Sequence, residues 1–236
     1  MRPSIGDTGG ERVRLVLSTI RRAAEKVGRS ADSVRLVAVT KSVSVDQIQE
    51  GINAGLCLLG ENRLQEALPK MAALKQAPVH WHFIGHLQRR KVRALIGVFD
   101  LIHSVDSAEL AQEIDRRAGE AGRCQDVLLE VNVGGESTKT GFHPEEIIGV
   151  VPALAALPHL RIKGLMVIPP PTPDAEQARP YFRRLRDLAG RIMDLRISSV
   201  VMAELSMGMS NDYAVAVEEG ATLVRVGTAL FGARHG

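Results

Sequence analysis

The chain has 236 residues, of which 45% are hydrophobic, enough for one large α/β domain with a full core, and 3% aromatics leave that core to aliphatic side chains. The net charge of +3 is small and the basic residues are scattered without interleaved aromatics, which argues against a nucleic-acid surface. No apolar run reaches the ~18 residues that a membrane helix needs, and no signal-peptide pattern opens the chain, so a cytoplasmic protein with no membrane partner is expected.

Residues 1–10 read as a flexible N-terminal tail, and 11–236 as a single domain. Val13, Val16, Leu17, Ile20, Ala24 and Val27 fall at three- and four-residue spacing, predicting an amphipathic helix over 11–27 that Gly28 ends. The branched run Arg35-Leu36-Val37-Ala38-Val39-Thr40-Lys41 predicts a buried first strand with a lysine at its C-terminal end. Ser44 caps a helix over 45–54, stopped by Gly55. Leu56-Cys57-Leu58-Leu59 is the second strand, with Cys57 as a small core residue, and Gly60-Glu61-Asn62 leaves it. A helix over 63–77 precedes strand three, His80-Trp81-His82-Phe83-Ile84. The dense cluster Arg89, Arg90, Lys91 and Arg93 then opens a helix over 89–96 as a solvated face.

Strand four is Leu101-Ile102-His103, followed by Ser104 and a helix over 108–119. Strand five covers 126–132, and the Gly- and Ser/Thr-rich loop 134–141 carries Lys139. Pro144 starts a helix that reaches residue 157. Strand six spans 162–166, and Ile168 with Pro169, Pro170 and Pro171 begins a rigid excursion before a helix over 175–195. Strand seven is expected at 199–205, with the loop Ser206-Met207-Gly208-Met209-Ser210 capping a helix that Gly220 stops. Strand eight covers 222–226 and ends in Gly227-Thr228. Eight strand–helix units suit a parallel (β/α)8 barrel with an extra N-terminal helix. A doubly wound open sheet would prefer a Gly-rich fingerprint after strand one, which Thr40-Lys41-Ser42-Val43 is not. Cys57 and Cys124 have no metal-type spacing and fit a reducing compartment.

In such a barrel the C-terminal strand ends form the active face, and a partly desolvated lysine there is the residue type that forms Schiff bases. The loops after strands seven and eight are where barrels often hold phosphate, and both offer small residues, hydroxyls and N–H groups near helix starts. A lysine and a phosphate site at one mouth together suggest pyridoxal 5′-phosphate (PLP). Arg225 alternates with Val224 and Val226, so it points into the barrel, either to a salt bridge with Glu204 or to a cofactor ring.

The segments Val37-Ala38-Val39-Thr40-Lys41, Gly60-Glu61-Asn62-Arg63-Leu64-Gln65-Glu66-Ala67, Trp81-His82-Phe83-Ile84-Gly85-His86-Leu87-Gln88, Leu205-Ser206-Met207-Gly208-Met209-Ser210 and Val224-Arg225-Val226-Gly227-Thr228-Ala229-Leu230-Phe231-Gly232 resemble those of the pyridoxal phosphate homeostasis proteins. The resemblance runs from about residue 11 to residue 234 and implies a fold-type III PLP barrel like the N-terminal domain of alanine racemase. It implies Lys41 as the Schiff-base lysine and Arg225 at the pyridine nitrogen. It also implies Ser206, Gly227 and Thr228 at the phosphate, with Asn62 and His82 at or near the ring; His82 reads equally as a satisfied core histidine. Lys139 matches a family lysine and also reads as an exposed loop residue.

The function implied is intracellular PLP (vitamin B6) homeostasis and amino-acid balance, without robust catalysis. Free amino acids or PLP-accepting apoenzymes are the partners that this role suggests. The alternatives are a PLP-dependent amino-acid racemase and a cofactor-free Schiff-base aldolase. A racemase needs a second base, which in alanine racemases is a tyrosine from an additional C-terminal β domain. This chain has only Tyr181 and Tyr213 and ends soon after strand eight. An aldolase would not need Arg225.

Overall fold

The computed structural model describes residues 9–136 and 139–232. Eight parallel strands close into a barrel in chain order, with β8 pairing back onto β1. The strands are β1 (Arg35–Val39), β2 (Leu58–Glu61), β3 (His80–Phe83), β4 (Leu101–Val105), β5 (Gln125–Glu130), β6 (Leu160–Met166), β7 (Glu204–Ser206) and β8 (Leu223–Val226). The helices are α1 (Gly9–Lys26), α2 (Val45–Asn53), α3 (Leu64–Ala73), α4 (Val92–Leu95), α5 (Ala108–Glu120), α6 (Ile147–Ala155), α7 (Arg179–Met193), α8 (Tyr213–Glu218) and α9 (Thr228–Phe231). None of them is long and apolar enough to cross a membrane. Of the expected tail, 1–8 lie outside the described residues, while Gly9 and Gly10 already belong to α1. The other undescribed residues are Ser137, Thr138 and 233–236.

Local signals explain most element ends. Ser44 accepts from the Gln47 N–H while the Gln47 side chain accepts from the Ser44 N–H, a reciprocal cap that starts α2. Gly55, at φ +107, lets the chain leave that helix and turn toward β2. Period-two alternation then splits each strand between two environments. Outward residues such as Leu36, Ala38, Leu59, Trp81, Phe83, Val224 and Val226 join the helices in one large aliphatic core. Inward residues Val37, Leu58, Leu101, Leu128, Met166 and Leu223 form a smaller plug inside the barrel.

Two strands sit in a different register from the one expected. β2 starts at Leu58, so Cys57 precedes it and is exposed rather than part of the core. β7 has three residues, Glu204–Ser206, and 199–203 lie outside the sheet, with Val201 exposed. The close approach lies at Gly164 on β6, where an added Cβ would collide with the Glu204 carbonyl oxygen. β7 meets β6 there, at glycine-only distance, and pairs Gly164 with Glu204. Apolarity alone made 199–203 look like a strand.

Helix α1 packs outside the barrel rather than across its base. Its buried face, Val13, Val16, Ile20, Ala23 and Ala24, lies against α2, α8 and α9. Arg12 Nε donates to the Leu230 carbonyl at 2.8 Å, and Arg29 donates to the Val217 and Ala221 carbonyls at 2.7 and 2.9 Å.

Candidate functional site

Lys41 follows β1 by two residues. Thr40 N–H still donates to the Gly60 carbonyl at 3.0 Å, and Val43 N–H donates back to the Thr40 carbonyl at 3.0 Å. Ser42, at φ 59, makes the turn tight, and its N–H donates to Glu66 on α3 at 3.2 Å. The half-buried lysine side chain therefore leaves a pinned turn and lines the cavity at the C-terminal mouth.

Behind this turn lies a buried charge cluster that the sequence did not disclose. Lys70 Nζ donates to the Thr40 carbonyl and to Glu61 Oε1, both at 2.7 Å, and the Thr40 hydroxyl donates to the same carboxylate oxygen at 2.6 Å. Glu61 is wholly buried, with its other oxygen lacking a hydrogen-bond partner among the described residues. The ammonium of Lys70 thus grips the peptide immediately before Lys41. Burying this pair is tolerable because three hydrogen bonds tie it together and to Thr40.

The mouth cavity measures about 570 Å³. Lys41, Asn62, Arg225, Gly227 and Thr228 line it together, as does Lys139, whose Nζ lies 2.5 Å from Glu136 Oε2. Asn62 Oδ1 is buried without a hydrogen-bond partner among the described residues. The excursion 169–173 forms one wall, a feature the triple proline signalled. The loop 209–212 forms another part of the wall. Gly208, at φ +92, sets that loop: an added Cβ would meet Ala216 Cβ at 2.5 Å. Ser210 Oγ accepts from the N–H groups of Gly227 and Ala229, both at a long 3.3 Å. Those N–H groups are weakly satisfied, so an anionic oxygen could take them over.

Two of the expected residues lie elsewhere. Ser206 is wholly buried beneath Arg225, because it is the inward residue at the end of β7 and sits one layer below the mouth. Ser210, four residues later, is the hydroxyl that reaches the cavity. His82 is 4% exposed and lines a different cavity, of about 530 Å³, at the N-terminal end of the barrel. Arg225 is not paired with Glu204, whose carboxylate is engaged by Arg35 and by the Thr222 hydroxyl.

Electrostatics at the mouth are set by burial. Desolvation lowers Arg225 to about 10, against the attraction of Glu130 and Asp212, so it stays charged at neutral pH. Desolvation pushes the Glu130 carboxyl up to about 7, with Asp106 adding to the rise and Arg225 opposing it. Glu130 faces a recess of about 290 Å³ that shares Lys139 and Ile168 with the main cavity. Among the described residues there is no cluster fit to hold a metal ion. Tyr181 and Tyr213 pack against the aliphatic core and are not among the cavity's walls.

Residues 15–235 match the family profile described as alanine racemase, N-terminal domain. Among curated proteins, the chain is similar to the pyridoxal phosphate homeostasis protein of Aquifex aeolicus, 48% identical over 95% of this chain and 97% of the relative. The protein of the same name from Pseudomonas aeruginosa is 43% identical over 96% of each. Among solved structures, PipY of Synechococcus elongatus with PLP bound superposes with a TM-score of 0.83 at 38% identity, covering 95% of this chain and all of PipY. An alanine racemase of Clostridium difficile gives 0.67 at 18% identity over 96% of this chain and 58% of the racemase, a likeness of fold alone.

Proposed function

Because the chain belongs to the family of pyridoxal phosphate homeostasis proteins, we propose that its mouth cavity holds PLP and that the protein serves PLP homeostasis. The observation that carries this reading is the meeting of Lys41, Arg225 and the Ser210, Gly227 and Thr228 loops around one cavity. When bound, PLP supplies an aldehyde that links to a primary amine and a pyridine ring that can withdraw electrons. Lys41 is the amine that would hold it as a Schiff base. The N–H groups of Gly227 and Ala229, with the Ser210 and Thr228 hydroxyls, would receive the phosphate. Asn62 offers a buried acceptor beside Lys41.

The reading has a corollary for activity. With PLP bound, a charged Arg225 at the ring nitrogen would donate to it and keep it unprotonated, which would weaken the ring as an electron sink. Neither tyrosine borders the cavity to act as a second base. Little turnover as a racemase follows, since a positioned acid–base group typically supplies about 10²–10⁴-fold. Free amino acids and PLP-accepting apoenzymes remain suitable partners for a cofactor held at an open mouth.

The test is a visible absorption spectrum of PLP-loaded protein, followed by borohydride reduction and peptide mapping. Label at Lys41 is expected. Label found only at another lysine, such as Lys139, sinks the assignment. Deuterium exchange at Cα of L-amino acids in D₂O should be slow, and fast exchange abolished by Lys41→Ala would promote the racemase instead.

A further inference from the structure

Four side chains from β3, β4, β7 and β8 form a continuous line through the barrel interior. Arg225 Nη1 donates to Ser206 Oγ at 2.6 Å and to its carbonyl at 2.9 Å, and Nη2 donates to the Val167 carbonyl at 2.8 Å. Ser206 Oγ lies 2.9 Å from His103 Nδ1. His103 Nε2 lies 2.8 Å from His82 Nδ1. Ser206 and His103 are wholly buried, and the aliphatic plug occupies the rest of the interior.

Hydrogen-bond arithmetic fixes the direction of this line. A guanidinium only donates, so Ser206 Oγ accepts from Arg225. Among the described residues, the one further polar side-chain atom bonded to Oγ is His103 Nδ1. The hydroxyl proton must go there, since a buried donor without an acceptor is rare. His103 then carries its proton on Nε2 and donates it to His82 Nδ1. His82 in turn is protonated on Nε2, the nitrogen left over at the N-terminal cavity. Both rings are neutral: burial is the main cause, lowering His82 to about 4 and His103 well below its ordinary value, where His82 and Arg225 add to the effect. Arg35 also disfavours charge on both rings, while Asp100 opposes it at His82.

We infer that His82, His103 and Ser206 form one directional hydrogen-bond chain that aims Arg225 at the mouth cavity, with His103 as its positioning residue. The inference rests on the PLP reading for its consequence, because the aimed group is the one that would meet the ring nitrogen. Ser206 and Val167 anchor both terminal nitrogens of the fork, which leaves Nε–H and one Nη2–H for a ligand. His103, by accepting the Ser206 proton, makes Oγ a stronger acceptor for the guanidinium. Without His103 the hydroxyl loses its partner and turns, and the guanidinium loses its fixed aim.

The test has two arms. Long-range ¹H–¹⁵N spectra of histidine-labelled protein without PLP should show His82 and His103 neutral and protonated on Nε2 from about pH 6 to 8. A proton on His103 Nδ1, or a charged ring in that range, overturns the chain whether or not the protein binds PLP. In the second arm, His103→Leu should weaken PLP binding about tenfold and move the pH midpoint of the visible band. His103→Gln, whose side chain can both accept and donate, should recover most of the loss. Ser206→Ala combined with His103→Leu should be no weaker than Ser206→Ala alone, because the two residues act in series. Additive losses, or an unshifted affinity and midpoint in His103→Leu, overturn the inference. A wild-type protein that binds no PLP sinks the cofactor reading, and the first arm then decides the chain by itself.

Discussion

The two ends of the barrel carry cavities of nearly equal size, about 570 Å³ at the C-terminal mouth and about 530 Å³ at the N-terminal end, made of different material. The N-terminal cavity has leucine walls and a charged rim whose members pair with one another. Arg35 holds Glu204, Lys163 lies 3.7 Å from Asp126, and His80 lies 3.3 Å from Asp100. At the mouth, polar groups are left incompletely paired instead. Among the described residues, Asn62 Oδ1 has no hydrogen-bond partner, and the N–H groups of Gly227 and Ala229 have only a distant hydroxyl. The lesson is that incomplete pairing, more than size or charge, marks the end that is built for a ligand.

The comparison is broken most severely at Lys41. Lys41→Ala should abolish the visible band of bound PLP and leave the melting temperature nearly unchanged, as measured by absorbance and calorimetry. The next largest effect is on folding. Lys70→Met leaves the Glu61 carboxylate buried with its cation gone, and urea unfolding should show a loss of about 3–5 kcal/mol. Third, Thr228→Val or Ser210→Ala removes one hydroxyl from the phosphate loops. At about 1.5 kcal/mol for a charge-assisted bond, PLP titration should show roughly tenfold weaker binding. Pyridoxal without its phosphate should bind far more weakly than PLP, and equal affinity would contradict the site.

Smaller effects separate the two ends by pH. The Glu130 carboxyl has a folded value of about 7, above its ordinary value, so its stabilising protonated form is lost as pH rises toward and through 7. His82 has a folded value of about 4, below its ordinary value, so stability is lost as pH falls from the ordinary histidine range toward 4. Across pH 5 to 6.5 these two slopes oppose each other, so Glu130→Gln, which removes the falling one, should make the unfolding free energy climb with pH by about 1–2 kcal/mol more than in wild type over that interval. Smallest of all, Arg35→Ala at the N-terminal rim breaks a largely exposed pair and should cost at most about 1 kcal/mol. Its PLP affinity should match wild type.

The barrel was legible because its signals are local and periodic. Ser44 capped a helix as its pattern required, and the alternation around Arg225 put the guanidinium inside. Contacts between distant segments were not legible. The carboxylate of Glu61 meets Lys70 only once α3 folds back on β2, and no spacing rule distinguishes that lysine from its exposed neighbours. Ser206 and Ser210 belong to one loop motif, and a shift in where β7 ends decided which hydroxyl reaches the mouth. His82 read as either a core or a ring residue, and the structure places it at the far end of the barrel, against a histidine 21 residues away.

The docking of α1 has a consequence for how the chain is made. Its apolar face rests mainly on α8 and α9, and β1 closes the sheet against β8, so the earliest segments wait for the last ones. At about 5–20 residues per second, the ribosome needs on the order of ten seconds or more to deliver the intervening segment. Throughout that interval Val13, Val16 and Ile20 form an amphipathic stripe without its final cover. Nascent chains of this protein should therefore engage holding chaperones through α1 and release them only once α8 and α9 have emerged.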